Sequence, residues 1–422
     1  MTLPNETVQG LAAAIFAAAL VHTFAAKLLE RLSHRFPKHA GLFHLLGEVE
    51  VVFGFWAIVL VLGMALVSGG SSALEYAESR QYTEPLFVFV VMVVAASRPI
   101  LQAVLASVNA LARTVPLRTE VATAWLGLAA VPLLGSLVTE PAAMTIAALM
   151  LAPQVFRDGI PERLKYLALG VLFVNVSIGG TLTSYAAPPV LMVASTWQWD
   201  SGHMFVTFGW KAAIAVLVNA SLATWMLRQH LRPAVKEDPQ QPAHRRVPLA
   251  VVGVHMFFLA AVVMFAHHPV AFLGLFLMFL GFTQAYERYQ SQLIIKEALL
   301  VGFFLAGLVV LGGLQQWWLQ PIVTSLSPKA LFFGAVGLTA ITDNAALTYL
   351  GSLIAGISAE AKYMLVAGAV AGGGLTVIAN APNPAGVALL KRGFSDESIG
   401  AGGLLLGALA PTLVAVLAFL VL

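Results

Sequence analysis

Thr139-Glu140-Pro141-Ala142-Ala143-Met144-Thr145 and Thr342-Asp343-Asn344-Ala345-Ala346-Leu347-Thr348 are two copies of one pattern in a chain of 422 residues. Each copy places a carboxylate in the middle of a long apolar stretch. Only 10% of the chain is charged and 59% is hydrophobic, whereas about 25% charge is usual in a soluble domain. A charge at bilayer depth costs roughly 2.5–3.5 kcal/mol on insertion scales. Two acids at matching places therefore indicate a function, and ion transport is the first hypothesis.

The apolar runs and the basic residues together predict a topology. The chain has room for about ten spans of roughly 20 residues. We place the basic loop at 27–39 in the cytoplasm by the positive-inside rule. The stretch 121–156 is then about twice as long as a span and has basic residues at both ends. We therefore expect a hairpin that enters from the cytoplasm and turns at Glu140, and a second one, 330–357, that enters from outside and turns at Asp343.

The pattern predicts an all-α polytopic membrane protein built from two inverted repeats. Residues 1–228 and 248–422 form the repeats, each with five transmembrane helices and one re-entrant hairpin. A Pro- and Gln-rich cytoplasmic linker, 229–247, joins them, and both termini lie outside. Such repeats, with a site at the bilayer midplane, are typical of secondary transporters. The basic residues are spread along short loops, which does not favour a nucleic-acid partner.

Each hairpin is followed by a helix with an interrupted middle. The first, 166–196, contains Gly179-Gly180-Thr181-Leu182-Thr183-Ser184, and the second, 363–390, contains Gly372-Gly373-Gly374-Leu375-Thr376 and Asn380-Ala381-Pro382. Glycine and proline here predict two breaks at the midplane, which are tolerated only where backbone is buried or lines a cavity. Freed carbonyls and side-chain oxygens can then surround a hard cation. The side chains that we expect to bind the ion or proton are Thr139, Glu140, Thr181, Thr183, Ser184, Thr342, Asp343, Asn344, Thr376 and Asn380.

The two acidic tips and the two Gly-Gly-x-x-Thr…Pro breaks resemble the ion transporter superfamily over most of the chain. The Asp343-Asn344 tip is similar to the NhaD-type Na+/H+ antiporters, and the whole chain to the bacterial "putative Na+/H+ antiporter" group. Both tips carry an acid where the related anion symporters have Ser-Asn-Thr. Because the first tip, Thr-Glu-Pro, departs from the pattern, the resemblance implies a role for Asp343 more directly than for Glu140. The resemblance implies a homodimer in the bacterial inner membrane, in which a transport domain moves across the membrane against a scaffold like an elevator.

The hypothesis is that Glu140 and Asp343 bind Na+ or Li+ in exchange for H+, because protons and the cation compete for the same carboxylate oxygens. The alternative is a sodium-coupled anion carrier of the dicarboxylate type, which two acidic tips disfavour. A third hypothesis, an intramembrane enzyme with an aspartic-type pair, has no supporting motif: the chain lacks His-Glu-x-x-His and Gly-x-Ser-x-Gly. We expect no enzyme activity and no cofactor, with Na+ and H+ as the coupling ions.

Structural roles compete with these functional ones. An acid at a helix start is a good N-cap, and Thr often donates to a backbone carbonyl.

Glu48 and Glu50, at the inner end of the second predicted span, are expected to pair with Arg98 of the third. The chain has no cysteine, so thiol chemistry is excluded.

Overall fold

The computed structural model describes residues 6–232 and 247–422. Within these two ranges the regular structure is helical and contains no strand. The predicted linker, 229–247, lies outside the described residues except at its two ends.

The first half of the chain contains thirteen α-helices over the described residues. They are α1 (Glu6–Arg35), α2 (Ala40–Gly47), α3 (Val49–Ser68), α4 (Gly70–Glu78), α5 (Thr83–Ala95), α6 (Arg98–Thr114), α7 (Thr119–Leu128), α8 (Ala130–Val138), α9 (Glu140–Leu151), α10 (Glu162–Gly179), α11 (Pro188–Trp197), α12 (Ser201–Met204) and α13 (Trp210–Leu227). A π-helical turn, Phe205–Gly209, joins the last two.

The second half contains nine α-helices over the described residues. They are α14 (Leu249–Met264), α15 (Pro269–Ala285), α16 (Ile295–Gly312), α17 (Gln316–Ser325), α18 (Pro328–Thr339), α19 (Asn344–Ser352), α20 (Ala359–Gly372), α21 (Asn383–Leu390) and α22 (Ala401–Val421).

Six stretches of described helix are long and apolar enough to cross a membrane, or up to eight if each of two bent helix pairs counts as one span. Two shorter apolar helices, α14 and α15, fall just below that length. The chain is thus a polytopic helical membrane protein, and the count of five spans in each half stays a prediction.

Both predicted turns fall between two helices. α8 ends at Val138 and α9 begins at Glu140, with Thr139 alone between them. α18 ends at Thr339 and α19 begins at Asn344. The predicted 121–156 stretch is therefore three helices, since α7 and α8 are bent by 42° at Ala129.

Both predicted interruptions are also present. α10 ends at Gly179, a short 3-10 turn follows, and α11 begins at Pro188. α20 ends at Gly372 and α21 begins at Asn383. Proline near the start of α11 and α21 suits a helix N-terminus, where its missing N–H is no loss. We call residues 180–187 break 1 and residues 373–382 break 2.

The third predicted span, which contains Arg98, corresponds to the apolar run 86–108 and is bent in the structure. It consists of α5 and α6, bent by 63° at Ser97. Arg98-Pro99 begins the second of them, because proline is accepted in the first turn of a helix and ends the one before it. Glu48 Oε1 lies 3.8 Å from Lys296 Nζ, and the expected pairing of Glu48 and Glu50 with Arg98 stays a prediction.

The buried apolar side chains form two clusters. One, the hairpin core, unites α7–α13 with α18, α20 and α22. The other, the flank core, unites α1, α3 and α5 with α14, α15 and α16. The two turns lie where the cores meet, since Val138 and Ala142 of the first and Ala345 and Ala346 of the second pack into the flank core.

A buried amide network fixes the hairpin core. Asn175 of α10 donates to Leu128 O (2.8 Å), at the bend between α7 and α8. Asn219 of α13 donates to Asn175 Oδ1 (3.0 Å) and to Pro411 O of α22 (3.2 Å). Both amides are almost fully buried. A buried amide without partners would cost about 1–3 kcal/mol, so this network specifies how the four helices pack.

Candidate functional site

The backbone of the first turn is strained at Thr139, the residue before the carboxylate. Thr139 N donates to Gly135 O (2.7 Å) and Thr139 O accepts from Ala143 N (3.0 Å), so one residue reverses the chain. Its backbone adopts φ 93° and ψ 150°, a region that is essentially reserved for glycine. Gly69 has almost the same dihedral angles, φ 91° and ψ 152°. A β-branched residue in this conformation is an outlier, and such strain is concentrated at functional sites.

Glu140 is completely buried at the start of α9. Its Oε2 accepts a hydrogen bond from Asn380 Nδ2 of break 2 (2.9 Å). Its Oε1 has no hydrogen-bond partner among the described residues. The carboxylate packs against Gly180 of break 1, where an added Cβ would lie 2.5 Å from Oε1. Glu140 thus lies between the two breaks, and a side chain at residue 180 would displace it.

The second turn uses its acid differently. Asp343 Oδ1 accepts from Ala345 N (2.8 Å) and Ala346 N (3.1 Å), which makes it the N-cap of α19. Its side chain is only partly buried, and so is Thr342. The next residue, Asn344, is fully buried, and its Nδ2 lies 3.4 Å from Ser177 Oγ of α10. In the second turn the group that reaches the helix breaks is therefore an amide.

The two acids nevertheless lie within electrostatic range of each other. Asp343 also lies within range of Glu50, in the first turn of α3. Of the predicted site residues, Glu140 and Asn380 are therefore hydrogen-bonded to each other, Asp343 lies within electrostatic range of Glu140, and Glu50 is a third acid on the side of Asp343.

The hydroxyls of the breaks attach them to the hairpins. Thr183 Oγ1 donates to Ser136 O (2.7 Å) and Thr376 Oγ1 donates to Ala340 O (2.9 Å). Thr181 donates to Ile178 O within its own helix end (2.6 Å). Ser184 lies 3.3 Å from Ser201 Oγ and so faces away from the tips. Each of these hydroxyl groups has a protein partner.

Sequence reasoning missed three residues of this region. Ser136 donates to Gly179 O (2.7 Å) and accepts from Leu182 N (3.0 Å). Ser177 donates to Val370 O (2.8 Å). Asn383 donates to Gly373 O (2.8 Å) and Thr376 O (2.9 Å). All three are polar residues inside apolar runs, which is the signal that would have found them.

These donors alter the expectation that freed carbonyls would bind the ion, because several of those carbonyls already accept a side-chain hydrogen bond. Side-chain oxygens in the same region lack a partner among the described residues. Thirteen buried side-chain atoms among the described residues have no hydrogen-bond partner, and six of them lie at or next to the two turns and break 2. Those six are Thr139 Oγ1, Glu140 Oε1, Thr339 Oγ1, Asn344 Oδ1, Asn380 Oδ1 and Asn383 Oδ1. Unpaired buried oxygens are costly, so their clustering indicates a site for a proton or a cation.

Comparison with known proteins agrees with a transport function. Residues 7–422 match the sequence profile of a family described as "Putative Na+/H+ antiporter". The chain therefore belongs to that family. No curated protein matches it at a significant level. Among solved structures it is similar to the Alcanivorax borkumensis YdaH transporter, with 15% identity, a TM-score of 0.44, and coverage of 88% of this chain and 96% of that one.

Proposed function

We propose that this chain exchanges Na+ or Li+ for H+ across a membrane, and that Glu140 is the carboxylate at which the two ions compete. The observation that carries the proposal is the state of Glu140. It is completely buried, accepts one hydrogen bond from an amide, and leaves Oε1 without a partner. Membership of the antiporter family supplies the two ions.

The physics of exchange follows from burial. An isolated carboxylate away from water is too costly to remain charged, so it either holds a proton or neutralises a cation. A bound proton removes the negative charge that holds Na+, and bound Na+ favours loss of the proton. Each ion therefore expels the other from Glu140, which is the minimum requirement for coupled exchange.

The surrounding oxygens complete the proposed site. Sodium is a hard cation and prefers oxygen ligands. Asn380 already contacts Glu140 and has a free Oδ1, and Thr139 carries a free Oγ1 in the adjacent position. Asp343 adds a second negative charge within range. We assign to Asp343 a supporting role, to hold α19 in place and strengthen the attraction for the cation.

We also propose the finer architecture that the sequence predicts. It consists of two inverted repeats, 1–228 and 248–422, with re-entrant hairpins and an elevator movement in a homodimer of the bacterial inner membrane. The separate hairpin core and flank core support this proposal, because an elevator needs one unit that moves against another. Both turns lie where the cores meet, as a site carried past a scaffold requires.

The sodium-coupled anion carrier is less well supported. An anionic substrate needs a positive group at the site, whereas the hydrogen bond that Glu140 accepts comes from a neutral amide. A buried carboxylate beside a second acid would repel an anion.

The test is exchange by the purified protein in proteoliposomes that enclose a pH-sensitive dye. Adding Na+ or Li+ to the wild type should move protons in the opposite direction for at least one of these two cations. Glu140→Gln should abolish the signal, while Glu78→Gln, at an exposed position of α4, should leave it unchanged. Wild-type protein that moves no protons with either cation, or only with K+, would refute the proposal.

A further inference from the structure

A cavity of about 750 Å³, lined by both polar and apolar residues, lies beside break 1. Its wall combines break 1, α11, the segment that leads to α12 and the turn after α14. Among its lining residues are Ser184, Ala194, Ser195, Gln198, Asp200 and His267. The loops at 197–201 and 265–268 thus meet around one opening. Each is one predicted span away from the linker 229–247, so a cytoplasmic linker predicts both loops on the outer side of the membrane.

The lining of this cavity suits a hydrated cation. Its volume corresponds to roughly 25 water molecules at about 30 Å³ each. Asp200 is an exposed acid at the rim of the cavity. The twelve residues that line the cavity include neither lysine nor arginine. In the wall, Ser195 donates to Glu84 Oε1 (2.7 Å), which places a second carboxylate behind the lining. A cleft with negative charge raises the local concentration of cations.

Break 1 contributes residues both to the lining of the cavity and to the surroundings of Glu140. Ser184 belongs to break 1, and its backbone N and its hydroxyl both lie 3.3 Å from Ser201 Oγ. The preceding residue, Thr183, donates to Ser136 O of the first hairpin. Three residues before Thr183, Gly180 is in contact with the carboxylate of Glu140. Break 1, whose first three residues form a 3-10 turn, therefore contacts Glu140 at Gly180 and lines the cavity at Ser184.

We infer that this cavity is the aqueous route by which hydrated cations and protons reach Glu140 from the outer face of the membrane. The inference rests on the proposed function and deepens it, since it names the path and its side. The Ser184–Ser201 contact closes the inner end of the path, and a shift of break 1 relative to α12 opens it to the ion.

The chain contains no cysteine, so one introduced cysteine is the only thiol in the protein. Ala194→Cys places it in the cavity wall and Gln198→Cys at the rim. Glu78→Cys is the matched control, at an exposed position outside the cavity. Each variant is tested for exchange and is then treated with a positively charged, membrane-impermeant methanethiosulfonate. The treatment is made in right-side-out vesicles and, in parallel, in everted vesicles.

We expect Ala194→Cys and Gln198→Cys to react in right-side-out vesicles only and to lose exchange at least tenfold. Glu78→Cys should react and keep its exchange. The route would be overturned, and the proposed function left standing, by either of two results. In one, the cysteines in the cavity react but exchange stays at the wild-type rate. In the other, they do not react although Glu78→Cys does. If unlabelled protein exchanges no ions, the proposed function fails, and this inference fails with it.

Discussion

The two turns share a sequence pattern but bury different groups. In the first, Glu140 is completely buried against both helix breaks and Thr139 is strained. In the second, Asp343 caps α19 and the neutral Asn344 occupies the buried position next to Ser177. The difference is that Pro141 follows Glu140, whereas a polar Asn follows Asp343. The repeated motif therefore predicts two turns between helices, but not which side chain of each turn is buried.

The sharpest test of this difference is to neutralise each acid in turn. Glu140→Gln should lower the exchange rate by at least a hundredfold, because the only fully buried charge of the pair is lost. Asp343→Asn should lower it by roughly tenfold, mainly through weaker apparent Na+ affinity, since Asn is as good an N-cap as Asp and keeps α19 folded. The measurement is the Na+ concentration dependence of dye dequenching in everted vesicles.

Equal losses in the two variants would remove the proposed difference in role between Glu140 and Asp343. A wild-type rate in Asp343→Asn would exclude Asp343 from the site altogether. Protein amounts in the membrane are compared by immunoblot, and Glu78→Gln serves as the surface control.

A second test changes the neighbour of the carboxylate and leaves the carboxylate itself in place. Gly180→Ala adds a Cβ 2.5 Å from Glu140 Oε1, so the carboxylate must move away from its position. We expect apparent Na+ affinity to fall about tenfold with the protein still folded. Gly334→Ala, in α18, is the matched control, because no atom lies within 4 Å of its added Cβ. If both variants bind Na+ like the wild type, the contact with Gly180 is irrelevant to the site.

The sequence predicted both turns and both breaks because their causes are local. Glycine, proline and an isolated acid in an apolar run each restrict the chain within a few residues. The contact between Glu140 and Asn380 joins positions 240 residues apart, and only the predicted repeat suggested it. The N-cap at Asp343 was foreseen as an alternative, but whether Asp343 or Asn344 turns inward depends on tertiary packing. The bend at Arg98 was missed because hydropathy does not distinguish one long helix from two short ones.

A third prediction concerns the stability that the second acid supplies as a cap. Asp343→Ala removes the acceptor for Ala345 N and Ala346 N and should cost about 1 kcal/mol of stability. Asp343→Asn should cost only a few tenths. Glu140→Ala has no cap to lose, since no backbone N–H donates to its carboxylate among the described hydrogen bonds. The apparent Tm of purified protein in detergent should therefore fall for Asp343→Ala relative to Asp343→Asn, and equal Tm values would show that the cap contributes nothing.

The smallest expected effect is a change in apparent Tm when either threonine that precedes an acid is replaced by glycine. We expect this change to have opposite signs in the two turns. Thr139 has φ 93°, whereas Thr342 is not among the described non-glycine residues with positive φ. Strain of this kind costs about 1–3 kcal/mol, while glycine costs about 0.5–1 kcal/mol in conformational entropy. Thr139→Gly should therefore raise the apparent Tm slightly, and Thr342→Gly should lower it. Thr139→Gly also removes Oγ1 from the proposed site, so its apparent Na+ affinity should fall although its stability rises. This combination is expected where strain is retained for function. Shifts of the same sign in both variants would show that the two turns are equivalent after all.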